Sequence, residues 1–144
     1  MTITEAGRGA LSRSSFWLGV AAYLLPTFPI AYVWHLVVFA SIYDALGIYR
    51  PDPIVPLGFA SMVIQGLVFS WAYPRLFPGR GGAIFGPGVA YGLALASLSW
   101  SFTTLAVAAK NIMSSIPTYM LLETGFTLLQ FAIVGPLIAL AYRD

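Results

Sequence analysis

His35 and Glu123 are the residues of this chain whose types and positions invite chemistry. His35 is its only histidine, and Glu123 is one of five acidic residues. Each interrupts a long apolar stretch. Ionisable side chains inside such stretches are costly in a bilayer and rarely face lipid, so they mark proton, ion or ligand sites, or tightly paired structural contacts. His35 lies eight residues before Tyr43, and Glu123 lies eight residues after Ser115. Tyr43 and Ser115 are read as the outer ends of the first and last apolar stretches. At the helical rise both groups then sit ~12 Å below the outer ends. A shared depth on two helices is what an imidazole–carboxylate pair requires, and such a pair lowers the cost of burying either group alone.

Polar and aromatic residues gather at the same level. Trp34 precedes His35, and Trp100 stands nine residues before Ala109. Tryptophans favour the membrane interface, so these two are off the usual belt. Tyr119 falls one turn outward of Glu123 on one helical face, and Thr127 and Gln130 continue that face inward. Gln65, near the middle of the second stretch, is placed to meet Gln130. Together they suggest a polar seam, wide and aromatic on the outer side and narrower inward, with ligand- or proton-binding capacity. The alternative is a pair that fixes helix register while the aromatic rings simply pack. Asp44, Arg50 and Asp52 belong to the outer loop and read as solvated charges, with Asp44 also able to draw cations toward the seam.

The elements that must position these groups follow from composition. The 144 residues are 59% hydrophobic and 8% charged, with a mean hydropathy of +0.84. A soluble domain is ~25% charged, so a soluble enzyme, a nucleic-acid binder and a disordered chain are excluded. The absence of cysteine removes disulfides, zinc–cysteine sites, iron–sulfur clusters and thiol catalysis. One histidine without cysteine leaves no single-chain metal site, and no cofactor is expected. A membrane-embedded enzyme is disfavoured because His, Asp and Glu are too few. What remains is an all-α polytopic membrane protein.

A crossing helix needs about 20 apolar residues. Four stretches qualify, at about 16–43, 54–74, 82–109 and 115–142, forming a single membrane domain: a four-transmembrane-helix antiparallel bundle with short loops. The first is about twice the length of a signal-peptide core and reads as a retained helix, long enough to tilt or to bend at Pro26 and Pro29. Arg8, Arg13, Arg75, Arg80 and Arg143 fall on one side and Arg50 and Lys110 on the other, a five-to-two split. That split puts both termini in the cytoplasm. Phe16, Trp17, Trp71, Tyr73 and Tyr142 mark the inner interface, and Tyr43 and Tyr49 the outer one. The turn Tyr49-Arg50-Pro51-Asp52-Pro53 is stiffened by its prolines. The turn from Phe77 to Gly82, with Arg80 among glycines, reads as a tight turn facing lipid phosphates, an anion cradle being its functional alternative.

Gly88, Gly92 and Ala96 recur every fourth residue on the third stretch, a small-residue stripe that lets another backbone approach closely. It predicts helix packing within the chain or, alternatively, a homo-oligomer or a partner membrane subunit. Ser97, Ser101 and Thr104 form a neighbouring, mildly polar stripe. Gly135-Pro136 predicts a kink in the fourth helix.

The pattern resembles bacterial four-helix inner-membrane families of unknown function, the domains called DUF1761 and DUF2177. The resemblance is carried by Tyr32-Val33-Trp34-His35, by Tyr43-Asp44-Ala45-Leu46-Gly47, by the small residues from Gly88 to Ser99, by Glu123-Thr124-Gly125-Phe126, and by the late Gly135. It implies a bacterial inner-membrane location among membrane lipids, and it brings no activity to transfer. The residues themselves support a binding or transport module for a small amphipathic or cationic solute, or for protons. The alternative is an accessory subunit or assembly factor of a larger membrane complex.

Overall fold

The computed structural model describes the backbone of residues 4–78 and 83–143, with side chains from Arg13 onward. The glycine-rich turn at residues 79–82, the suggested anion cradle, lies outside the described residues. The chain is all-helical. Helix α1 (Thr4–Val33) passes into a π-helical turn (Trp34–Val38), and a short α2 (Ala40–Leu46) follows. Helix α3 (Val55–Leu76) returns. Helix α4 (Phe85–Trp100), a second π-turn (Ser101–Leu105) and α5 (Ala106–Lys110) make the third passage, and α6 (Ile116–Ala141) makes the fourth. Four helical segments are long and apolar enough to cross a membrane: Arg13–Val38, Val55–Leu76, Phe85–Lys110 and Ile116–Ala141. Their outward faces are those of a protein solvated by lipid. Leu25, Phe85 and Leu121 are each about three-quarters exposed, which only an apolar solvent makes tolerable across whole faces.

The first passage differs from its sequence reading in where it ends. Pro26 and Pro29 sit inside an unbroken α1. The departure from α geometry comes later, at Trp34–Val38, where the Phe39 N–H reaches back five residues to the Trp34 carbonyl at 3.0 Å. The apolar run continues to Tyr43, but the crossing helix ends at Val38, because Phe39 leaves helical geometry (φ −108°, ψ 13°) and α2 starts afresh. Gly47, at φ +73°, terminates α2 in the left-handed conformation that glycine adopts most readily. At the far end of the outer loops, Ser115 caps α6 by accepting the Thr118 N–H at 3.3 Å, with Pro117 in the first turn.

The helices are ordered α3, α1, α6, α4, each antiparallel to its neighbour, with α6 at the centre. The α4–α6 contact is set by glycine. A Cβ on Gly88 would lie 2.7 Å from the Pro136 Cα, and one on Gly92 2.5 Å from the Phe131 carbonyl oxygen. Gly135 faces both, its Cβ position 2.3 Å from the Gly88 carbonyl oxygen. With Ala96, the small-residue stripe is therefore filled by α6 of the same chain. Pro136 lies within a continuous α6, pressed against this contact.

The inner end of the bundle, meaning the end at which α1 begins and α6 ends, is closed by aromatic rings. Tyr73 stacks on Phe77 and on Tyr142, each at 5.4 Å, and meets Tyr91 edge-on at 5.2 Å. The Tyr91 hydroxyl donates to the Phe69 carbonyl at 2.6 Å, and the Tyr142 hydroxyl to the Ser70 carbonyl at 2.6 Å. Val134 and Ile138, fully buried, form an apolar layer above it. Further out, α3 and α4 separate, and the space between them becomes the site described below.

Gly92→Leu places a branched side chain against backbone that cannot yield. It should destabilise the fold by about 1–3 kcal/mol or more, read as a lower midpoint of thermal unfolding in detergent. A wild-type midpoint would contradict this packing.

Candidate functional site

The site is built from two polar helix faces. On the first passage, Tyr23, Thr27 and Ala31 of α1 and His35 of the π-turn that follows recur at four-residue spacing and share one face. On α6, Tyr119, Glu123 and Gln130 share the face turned toward it, all three buried. Antiparallel packing of α1 on α6 brings His35 Nε2 to 3.2 Å from Glu123 Oε1. Glu123 is 5% exposed, and this is the one ion-pair contact among the described residues.

The hydrogen bonds constrain the proton. His35 Nδ1 lies 2.9 Å from the Ala31 carbonyl oxygen, which can only accept, so Nδ1 carries a hydrogen. A neutral imidazole then has no hydrogen on Nε2. The contact with Glu123 therefore needs one shared proton, held as imidazolium and carboxylate or as neutral ring and acid. The Tyr43 hydroxyl donates to the same Oε1 at 2.7 Å. An oxygen taking two donors is best served by the carboxylate form.

Aromatic rings enclose the pair. Phe126 meets the imidazole edge-on at 4.5 Å, Tyr43 lies 4.9 Å from it, and Tyr49 stacks on Tyr43 at 5.0 Å. Tyr49 belongs to the loop beyond α2. Burial of its phenol, and then the nearby Glu123 carboxylate, push its pKa well above the usual tyrosine value, so it stays a neutral hydrogen-bonding group.

The pair lines one wall of a cleft of about 470 Å³ between the outer halves of the four passages. Arg50 and Tyr49 stand at its mouth. Ser61 and Gln65 of α3 face Ser99 and Thr103 of the third passage across it. Its floor is a hydrogen-bonded chain in which the Tyr23 hydroxyl donates to Gln65 and lies 3.5 Å from the Gln130 amide nitrogen, which also reaches Thr27 at 3.4 Å. Gln65 and Gln130 thus meet through Tyr23 rather than directly. Both π-turns border this space. Within the second, the Thr103 carbonyl accepts the Tyr119 hydroxyl at 2.5 Å.

Three of the expected seam residues are elsewhere. Trp100 donates to the Thr124 hydroxyl at 2.9 Å and, with Thr127, lines a separate cavity of about 160 Å³ between α4 and α6. Trp100 of α4 and Thr127 of α6 thus belong to the packing of these two helices. Trp34 packs on Phe39 at 4.6 Å behind the imidazole, its buried indole N–H without an acceptor among the described residues. Ser97 and Ser101 bond back to carbonyls of their own helix. Tyr43, expected at the interface, is buried on Glu123. Tyr23, Thr27, Ser61, Ser99 and Thr103 were not foreseen. The four-residue spacing of Tyr23, Thr27 and His35 was a usable signal for α1. The serines and threonines of α3 and α4 carried none. No group of three His, Cys, Asp or Glu side chains suited to a metal occurs among the described residues.

The chain matches no family model, no curated protein and no solved structure. Its chemistry is therefore read from the cleft. Its lining can hydrogen-bond, stack on rings and hold one proton, and it presents no nucleophile with an adjacent base other than the pair itself.

Tyr43→Phe removes one of two donors to Glu123 Oε1 and should lower stability by about 1–3 kcal/mol. In a Glu123→Gln background the same change should be milder by at least about 0.5 kcal/mol. Additive losses in a thermal double-mutant cycle would mean that the two groups act independently.

Proposed function

We propose that this protein binds a small amphipathic molecule in the cleft bordered by His35 and Glu123, as a membrane binding or transport module. The observation that carries the reading is the cleft itself: about 470 Å³ of space lined by hydroxyl, amide, imidazole and carboxylate groups within an otherwise apolar helical bundle. A purely structural His–Glu pair would need its partners but not the space beside them. The polar groups and the rings Tyr49, Tyr119 and Phe126 suit a ligand with both a hydrogen-bonding and an apolar part. A simple cation fits less well, since the Glu123 charge already faces an imidazole. The small-residue stripe, which favoured an accessory subunit in the sequence, is occupied by α6, so among the described residues it no longer supports that second reading.

The five-to-two distribution of Lys and Arg supports cytoplasmic termini in an inner membrane, with the cleft opening outward. Fusions of a cytoplasm-active and a periplasm-active reporter at residue 144 and within 48–52 should report opposite sides, the former inside. A periplasmic C-terminus would reverse the direction in which the cleft opens.

Native mass spectrometry of the purified protein tests the binding reading. The wild type should carry a small molecule released only under activation. Thr103→Trp, which fills the cleft from an exposed position, should lose it while keeping its helical circular dichroism. Equal spectra for the two proteins, or stoichiometric co-purification with other membrane subunits, would count against the cleft as a ligand site.

A further inference from the structure

A second cavity continues the cleft. On the outer side of α1 and α3, an apolar groove of about 190 Å³ is walled by Phe28, Tyr32, Leu36, Gly58, Phe59 and Met62. His35, Leu36, Ile54 and Met62 line both the groove and the cleft, so the two share a wall and meet beneath the loop at Pro53. The groove descends from that loop toward mid-span, parallel to a lipid chain whose head lies at the membrane surface. Phe28 and Phe59 form its edge-to-face end at 5.5 Å. At Gly58 nothing stands within 4 Å of where a Cβ would be, so the backbone itself leaves room for an occupant.

Charge selects the head group. His35 and Glu123 neutralise each other as a pair. Arg50, at the cleft mouth, makes no ion pair among the described residues. An arginine at a membrane surface presents a planar fork suited to carboxylate or phosphate. We infer that the cleft and groove together hold an anionic single-chain amphipath, its carboxylate or phosphate head at Arg50 and its hydrocarbon chain in the groove. This rests on the cleft being a ligand site, and it adds the class of ligand and the place of its chain. Carboxylate and phosphate heads share this recognition, and the groove sets the requirement for one chain rather than two.

The test uses the full chain in phosphatidylcholine nanodiscs with radiolabelled dodecanoate and dodecyl phosphate, subtracting protein-free nanodiscs. At least one should bind saturably, with one molecule per chain, and dodecyltrimethylammonium should not compete. Arg50→Gln and Gly58→Trp should each weaken binding at least tenfold with an unchanged unfolding midpoint. Gly58→Leu serves if the tryptophan variant does not fold. Tighter binding of dodecanoate would identify a fatty-acid-like ligand, and tighter binding of dodecyl phosphate a phosphate-headed one. Three results would overturn the inference: binding that never saturates, as for ordinary surrounding lipid; binding unaffected by both substitutions; or equal competition by the cation. If Thr103→Trp abolishes binding while Gly58→Trp does not, the cleft is a ligand site but its ligand has no chain in the groove.

Discussion

The approach of α4 to α6 through Gly88, Gly92 and Gly135 is the constraint on which the rest of the bundle depends. Lipid tails are as apolar as leucine, so helices in a bilayer gain little from burying apolar surface and must associate through close packing and hydrogen bonds. Where the Gly135 Cβ position would lie 2.3 Å from a neighbouring carbonyl oxygen, the backbones are as near as they can be. That contact and the Trp100–Thr124 and Tyr119–Thr103 hydrogen bonds hold the third passage against α6, while α3 is left to diverge from it beyond the aromatic rings. The divergence creates the cleft. A bundle packed equally tightly along its whole length would have no room beside Glu123.

The polar groups around Glu123 and Gln130 follow a second rule, that polar atoms in a bilayer find partners inside the protein, to which the Trp34 indole N–H and the Thr104 hydroxyl are exceptions among the described residues. Glu123 has two donors on one oxygen, His35 is held at both ring nitrogens, and Gln130, Tyr23 and Gln65 satisfy one another in sequence. This network links the three helices α1, α3 and α6. It also explains why α3, which touches the bundle through α1 and the inner aromatic rings, can stand away from α4 on the outer side without leaving bare polar groups against lipid.

Much of this was legible in the residues, for identifiable reasons. Helix length and composition are read directly against bilayer thickness, so the four passages and the all-helical fold were visible. Depth matching brought His35 to Glu123 because both are counted from helix ends, and helical rise is uniform. Azimuth was harder. Trp100 shares the depth of the pair but points away from it. Its azimuth is set by α4, which it ends, and helical rise does not say which neighbour that face meets. Tyr43 was misplaced for a related reason: the break at Phe39 redirects α2 and carries the phenol inward over Glu123. The serines and threonines of the cleft were invisible because they bond as readily to their own helix as to a neighbour.

The aromatic layer at the closed end of the bundle also bears on the electric field across a membrane. A cleft of about 470 Å³ is many times the ~30 Å³ that one water molecule occupies, so water filling it between ligands would carry the potential of the side on which it opens down to the level of Tyr23 and Gln130. The membrane voltage would then fall mainly across the closed half, between Gln130 and Tyr142. At about 2.3 kcal/mol per elementary charge for each 100 mV, a charge at His35 or Arg50 would feel little of that voltage, while one displaced past Val134 and Ile138 would feel most of it. An open cleft would make the protein a locally thinned insulator, with Phe131, Val134, Ile138 and the tyrosine rings as its dielectric.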